Sequence, residues 1–333
     1  MIDFRYHLVS IIAVFLALAV GLVVGSTALS GKALEALQAA YRVASSRITT
    51  LDHENSSLTN QLNADKAFAE AASSQLLPGL LSGLKVVEVV DSTANGAVTA
   101  GVTKALQQAG AQVTGEVIVL PSFLSTDGHD EDQLTQLAQS LAGQAGVKLA
   151  AQPSSPIAGQ QAAAQVLAAS LLSNNGTDPA SAASAHILSD FGEQGYITLG
   201  NGASSVSGPA SLAVLVAPGG APPQTGSRVL VALAVALRNA GSGTVMVGGS
   251  DSVGSNSVID AESRAGQVST VDNADTEIGQ ITTVWALRLL HDGKPPKSYG
   301  IGPGTAPSPA PTPSVTPTAT TTPSPGTSSG GHK

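Results

Sequence analysis

LKVVEVVDSTANGAVTAGVTKALQQA, residues 84–109, decides the architecture of the soluble part of this chain. Residues 84–90 form a valine-rich run that stops at Asp91, the pattern of a buried strand. Residues 96–109 then read as a helix and 113–120 as a second strand. Working outward, 130–141, 160–172 and 184–191 read as helices, and 212–216 as an apolar strand closed by Pro218-Gly219-Gly220. Residues 227–240 read as a helix and 244–247 as a strand closed by Gly248-Gly249. A short strand at 267–271 precedes a helix at 276–291. Strands alternating with helices imply a mostly parallel sheet covered on both faces, an α/β domain over residues 84–300. The nine apolar residues 229–237 are too few to span a bilayer and belong to a buried crossover helix.

Upstream, LVSIIAVFLALAVGLVVGSTAL, residues 8–29, carries no charge over 22 positions, and a bilayer core needs about 20. The expectation is an uncleaved transmembrane helix behind a seven-residue flank, 1–7. Two rivals exist. A buried core helix is usually shorter and amphipathic. A cleaved signal peptide has a basic leader and a shorter apolar region, whereas Asp3 here opposes Arg5. Charge does not set the orientation, because Arg5 lies on one side and Lys32 and Arg42 on the other. Ala17, Gly21 and Gly25, four apart, form a small-residue face on which two such helices can pack closely.

Between anchor and domain, residues 30–77 read in heptads. Leu34, Tyr41, Ile48, Asn55, Leu62, Ala69 and Leu76 occupy one core position. Leu37, Ala44, Leu51, Leu58, Asp65 and Ala72 occupy the other. No Pro or Gly interrupts residues 32–77, and Pro78-Gly79 stops the helix. Asn55, flanked by Leu51 and Leu58, is a lone polar residue at an a position with Leu at d, which sets register and favours a parallel two-stranded coiled coil. The rival is a lone amphipathic helix packed on its own domain. A stalk leaving the membrane has no domain beside its start, which favours the dimer.

The whole-chain numbers set limits on function. The chain has 333 residues, 42% hydrophobic, 3% aromatic and 11% charged, with net charge −8. No cationic run suits a phosphate backbone, so nucleic acid is not an expected partner. With no cysteine, disulfides, zinc-thiolate sites and a thiol nucleophile are excluded. The last segment, 301–333, has no charge before Lys333 and holds eight of the 19 prolines from Pro303 onward. It cannot bury a core, and the expectation is a disordered, partly polyproline-like tail.

Chemistry-bearing patterns are few. There is no dinucleotide-binding or phosphate-loop motif and no nucleophile elbow, so no catalytic residue is assigned and the chain is not expected to be an enzyme. Gly248-Gly249-Ser250-Asp251 follows a strand, where α/β folds bind ligands, but such turns are also common without one. Asp127, His129 and Asp130 form the densest acid–imidazole group, a candidate hard-metal site whose plainer reading is a solvated loop complementing a helix N-terminus. Asp275 reads as the N-cap of the following helix, and Asp272, Asn273 and Asp275 are alternatively a candidate partner or ligand site at the sheet edge.

The opening Met1-Ile2-Asp3-Phe4-Arg5-Tyr6-His7-Leu8-Val9-Ser10 runs into an apolar segment that ends Ala19-Val20-Gly21-Leu22-Val23-Val24-Gly25. Together with the heptads at 51–62 and Ser269-Thr270-Val271-Asp272-Asn273, it resembles the actinobacterial copper transporter family typified by the mycobacterial copper transport protein B. The resemblance covers the chain to about residue 300. It implies copper transport or homeostasis at the cell envelope, with the soluble domain outside the plasma membrane. Some relatives resemble a coiled-coil partner in cell separation, which leaves a second expectation: a non-enzymatic scaffold presenting its α/β domain to an envelope protein. No copper ligand carries over, and copper as a bound group is implied by the resemblance alone. Cu(I) prefers thiolate and thioether ligands, and Met246 is the one methionine after Met1.

Overall fold

The computed structural model describes residues 4–149, 155–173, 181–200, 206–220, 224–254 and 257–308. It divides into two compact units, Met1–Ala67 and Phe68–Lys333. The expected tail beyond residue 308 lies outside the described residues.

The first unit lies on one helix, α1 (Phe4–Leu76). Its stretch Tyr6–Gly25 is long and apolar enough to cross a membrane, one such helix among the described residues. Every described side chain there faces outward, so the stretch has no protein core of its own to enter. That fits a single-pass anchor. Farther along, the heptad positions stand exposed too: Leu34, Leu37, Tyr41, Ile48, Leu51, Leu58 and Leu62 are all more than half accessible. A row of large apolar residues left in water on one helical seam has no stabilising contact within its own unit.

The last turns of α1 belong to the second unit. Ala69, Ser73 and Leu77 are buried at i, i+4 spacing. These last turns pack within the second unit, whose core Leu77 and Leu81 enter. Gly79, at φ +85°, turns the chain where a side chain would strain, and Arg288 Nη1 donates to Leu80 O at 3.2 Å to hold the turn.

The sheet then builds outward from its middle. The strands are β1 (Lys85–Asp91), β2 (Gln112–Val119), β3 (Ile197–Leu199), β4 (Leu212–Val216), β5 (Gly243–Val247), β6 (Ser269–Val271) and β7 (Ser298–Tyr299). Their spatial order is β3-β2-β1-β4-β5-β6-β7. All neighbours are parallel except β2 with β3. The helices are α2 (Gly96–Gln108), α3 (Pro121–Leu124), α4 (Gly128–Ala142), α5 (Ala158–Leu171), α6 (Ser181–Glu193), α7 (Gln224–Ala240), α8 (Val258–Ala265) and α9 (Glu277–His291).

Strand alternation splits the core into two layers. Val87, Val89, Leu215 and Met246 face the side packed with α4, α5, α6 and α7. Val86, Val90, Val214 and Val247 face α2 and α9. Both faces of β1, β4 and β5 are therefore dry, as the valine-rich runs require. α7 is a crossover helix with Val229, Leu230, Leu233 and Leu237 fully buried.

Residues 301–308 differ from the expected tail. They fold back on the domain: Ile301 and Gly302 donate main-chain N–H bonds to Asp272, Ala306 bridges Tyr299, and Ser308 meets Thr282 at 2.6 Å. Composition predicts no buried core here, and none forms. Main-chain hydrogen bonds to an existing sheet edge order the segment instead.

Candidate functional site

β2 and β4 flank β1, so the chain reverses direction across the sheet between β1 and β4. Outside the carboxyl ends of strands at such a reversal lies the usual ligand crevice of open α/β sheets. The loops that gather there follow β1, β4, β5, β6 and β7, and they carry Asp91, Asp251, Asp272 and Asp275.

Each of these aspartates has a local task. Asp91, buried, takes hydrogen bonds from Thr93 N at 2.8 Å and from the Thr93 hydroxyl at 2.5 Å, and so folds its own turn. Asp275 takes Ser250 N at 2.9 Å and Ser250 Oγ at 2.5 Å, tying the loop after β6 to the loop after β5. Asp272, 3% exposed, takes Ile301 N at 2.7 Å and Gly302 N at 2.8 Å. Asp251 lies against two glycines: a β-carbon at Gly219 would come within 2.0 Å of its Oδ2, and one at Gly249 within 2.7 Å of its Oδ1. Those glycines admit the carboxylate by having no side chain.

The Gly248-Gly249 turn therefore lies against two of the chain's own carboxylates, Asp251 and Asp275, both exposed at the surface. The Ser250 N–H that could cradle a phosphate is already donated to Asp275. Asp275 is not the N-cap of α9. Thr276 is, with its hydroxyl accepting from Gly279 N at 3.1 Å. Asp275 points back to the β5 loop because Ser250 offers it two donors there.

Asn273 is buried, and its main-chain carbonyl accepts from both the Thr276 N–H and hydroxyl. Its side-chain Oδ1 has no partner among the described residues. The candidate trio Asp272, Asn273 and Asp275 thus lies on one loop, with the Asp272 carboxylate buried and the exposed Asp275 carboxylate bonded to Ser250.

Asp127, His129 and Asp130 sit at the start of α4. Asp127 occupies the N-cap position without a side-chain cap bond, and His129 Nε2 lies 2.9 Å from Gln133 Nε2. Among the described residues no three His, Cys, Asp or Glu side chains come together as a metal site. In the first unit, Leu51 and Leu58 stand 61% and 58% exposed, with Asn55 between them on the same seam, also exposed.

One group lies outside the sequence reading. Glu88, read as part of a buried strand, is 2% exposed in the middle of β1. Burial pushes its carboxyl up from its ordinary 4.5 to about 7, and the like charge of Glu116 adds to the shift. A lone glutamate inside a valine run is the signal that marks it. Glu262, fully buried in α8, accepts Gln267 N at 2.7 Å and Val268 N at 2.6 Å, and burial raises its carboxyl as well.

The comparisons with known proteins agree with one another. The family described as "Copper transport outer membrane protein, MctB" matches residues 1–310. The copper transporter MctB of Mycobacterium tuberculosis (strain H37Rv) is 33% identical, covering 91% of this chain and 98% of that protein. The Mycobacterium bovis protein of the same name shows the same identity and coverage. That of Mycobacterium leprae is 32% identical over the same share of each.

Proposed function

Since the chain belongs to the MctB family, we propose that it serves copper transport at the cell envelope as a single-pass, membrane-anchored protein with its α/β domain outside the plasma membrane. The observation that carries this is the extent of the family match. It takes in the apolar N-terminal helix, the heptad stretch and the domain as one piece. Near-complete coverage of the mycobacterial copper transporters supports the same reading.

In this reading the chain is a non-enzymatic scaffold, not the conduit. A single apolar helix cannot line a pore. The described sheet is open and mostly parallel, unlike the closed antiparallel barrel that spans an outer membrane. Copper as cargo needs soft ligands in Cu(I) form, and the chain offers no cysteine; its one internal methionine, Met246, is fully buried in β5. The domain is instead presented to an envelope protein, and copper flux depends on that assembly.

The stalk supplies the presentation. Residues 34–62 form a parallel two-stranded coiled coil with a second copy of the chain. Asn55 fixes the register, and the exposed seam of Leu34, Leu37, Leu51, Leu58 and Leu62 supports it. Arg47 falls at the g position and Asp52 at the following e position. In a parallel, in-register pair these meet across the two chains with opposite charge.

Titration of the purified full chain with Cu(I) against a competing chelator tests the scaffold reading. The expected result is no stoichiometric binding, together with altered cell copper when the chain is deleted. One-to-one tight binding would overturn the scaffold and leave the chain as a carrier. Unchanged copper content in the deletion strain would remove the transport role altogether.

A further inference from the structure

We propose that Glu88 is carried as a neutral acid between β1 and α2, and that its ionisation is a switch that loosens α2 from the sheet. Thr103 Oγ1 lies 2.9 Å from Glu88 Oε1, 2.9 Å from Glu88 Oε2 and 2.9 Å from Thr99 O. A hydroxyl has one proton. The Thr99 carbonyl can only accept, and a threonine on a helix commonly donates to the carbonyl four residues back. With that proton committed to Thr99, the two Glu88 oxygens face only a lone pair. A carboxylate would then be buried against an acceptor. A protonated acid donates to the Thr103 oxygen and satisfies both sides.

The surroundings reinforce this. Glu88 faces α2 and α9. Its in-register neighbour on β2 is Glu116, of like charge, and on β4 it is Val214. α2 offers Thr99 and Thr103, and its Lys104 is ion-paired with Glu277 of α9 at 3.5 Å. α9 otherwise brings Gln280, whose amide donates to Ala274 O. A buried carboxylate without a cation prefers its neutral form. Burial pushes Glu88 to about 7, so ionisation falls near neutral pH.

The consequence reaches the sheet edge. α2 begins at Asn95, whose side chain caps it by accepting from Ala97 N at 2.9 Å. Val98, in the first turn, borders Gly249: a β-carbon there would lie 3.4 Å from Val98 Cγ2. Loosening α2 opens the crevice between the loops after β1 and β5. A group whose carboxyl is raised in the fold from 4.5 to about 7 gives full stability below pH 4.5 and loses it as pH rises to about 7.

The test uses the full chain in lipid nanodiscs. In infrared difference spectra between the native protein and Glu88→Gln, a protonated-carboxyl band is expected at pH 5 and gone by pH 8. Amide exchange in α2, corrected for its intrinsic pH dependence, is expected to rise about 100-fold between pH 5 and 7 and then level off, since each pH unit in that window is worth about tenfold. In Glu88→Gln that rise disappears. Should Glu88→Gln fail to fold, Thr103→Val replaces it: the neutral acid loses its acceptor, so the loss of the carboxyl band is expected to move to lower pH, and a move to higher pH overturns the proposal. An ionised Glu88 at pH 5, or α2 exchange indifferent to pH in the native chain, overturns the proposal.

Discussion

Replacing Leu58 by Ala tests the stalk most directly. Leu58 is 58% exposed in the single chain, so pairing has that fraction of the side chain left to bury. Full burial of a leucine is worth about 1.5–3 kcal/mol, so this share contributes about 1–1.5 kcal/mol per chain. Two chains lose it together, giving about 2–3 kcal/mol before any cavity cost, which is on the order of a hundredfold in the dimer Kd. The chain has no cysteine, so a single cysteine introduced at Leu37 reports on the pair without background. At a d position the two copies lie face to face, and oxidation links them. Disulfide yield in native membranes, followed by dilution of the purified protein in an analytical ultracentrifuge, gives geometry and affinity. The expected result is efficient linking at Leu37 and a dissociation constant about a hundredfold weaker in Leu58→Ala. A chain that does not link at Leu37, or a Leu58→Ala protein that dimerises as tightly as the original, refutes the coiled-coil argument.

Other outcomes follow from the domain. Gly300→Ala should destabilise by more than about 2 kcal/mol, because Gly300 sits at φ +134° and a β-carbon would strike the Asp272 carboxylate; chemical denaturation reads it. Asp272→Asn keeps the shape but weakens two charge-assisted bonds to Ile301 and Gly302, an expected loss of about 1–2 kcal/mol with earlier proteolysis near residue 301. Asp275→Ala should cost no more than about 1 kcal/mol, because water can reach the exposed Ser250 N–H that it leaves, and the loss is visible as faster amide exchange at Ser250.

The central strands were legible because their physics is local. β1, β4 and β5 are dry on both faces, so valine and leucine runs announce them. The edges were not. β3 has three residues and β7 two, each held by pairing to a neighbour that lies far away in sequence. α8 spans eight residues and takes its start from Ser257, whose hydroxyl accepts from Asp260 N; so short a helix shows little periodicity. The cap of α9 differs from the reading by one residue, because Asp275 and Thr276 are both good capping types and the choice rests on where Ser250 lies. Glu88 was visible as a residue but not as a buried acid. Its proton depends on Thr103, fifteen positions on, reaching back from α2.

The domain's acidic groups bear on how a copper-family protein could act without holding copper. Asp91, Asp272, Asp275 and Glu262 each accept at least one main-chain N–H within the fold. A carboxylate used this way is oriented toward the backbone, and withdrawing it to bind a metal would strand the N–H it serves, at a cost of about 1–3 kcal/mol each. His129 is outside these clusters and meets Gln133. Asp91, Asp272 and Asp275 therefore brace the loops after β1, β5, β6 and β7 at the carboxyl edge of the sheet, and Glu262 braces the turn that enters β6 at the opposite edge. The surfaces that look outward are of another kind: the apolar seam of the stalk, and an open groove of about 680 Å³ beside α5 and α7 lined by Gln161, Gln165, Arg228, Val231, Val235 and Asn239. Apolar floors with polar rims suit protein surfaces better than ions. That contrast supports the scaffold proposed above, in which copper is held by a partner and not by this chain.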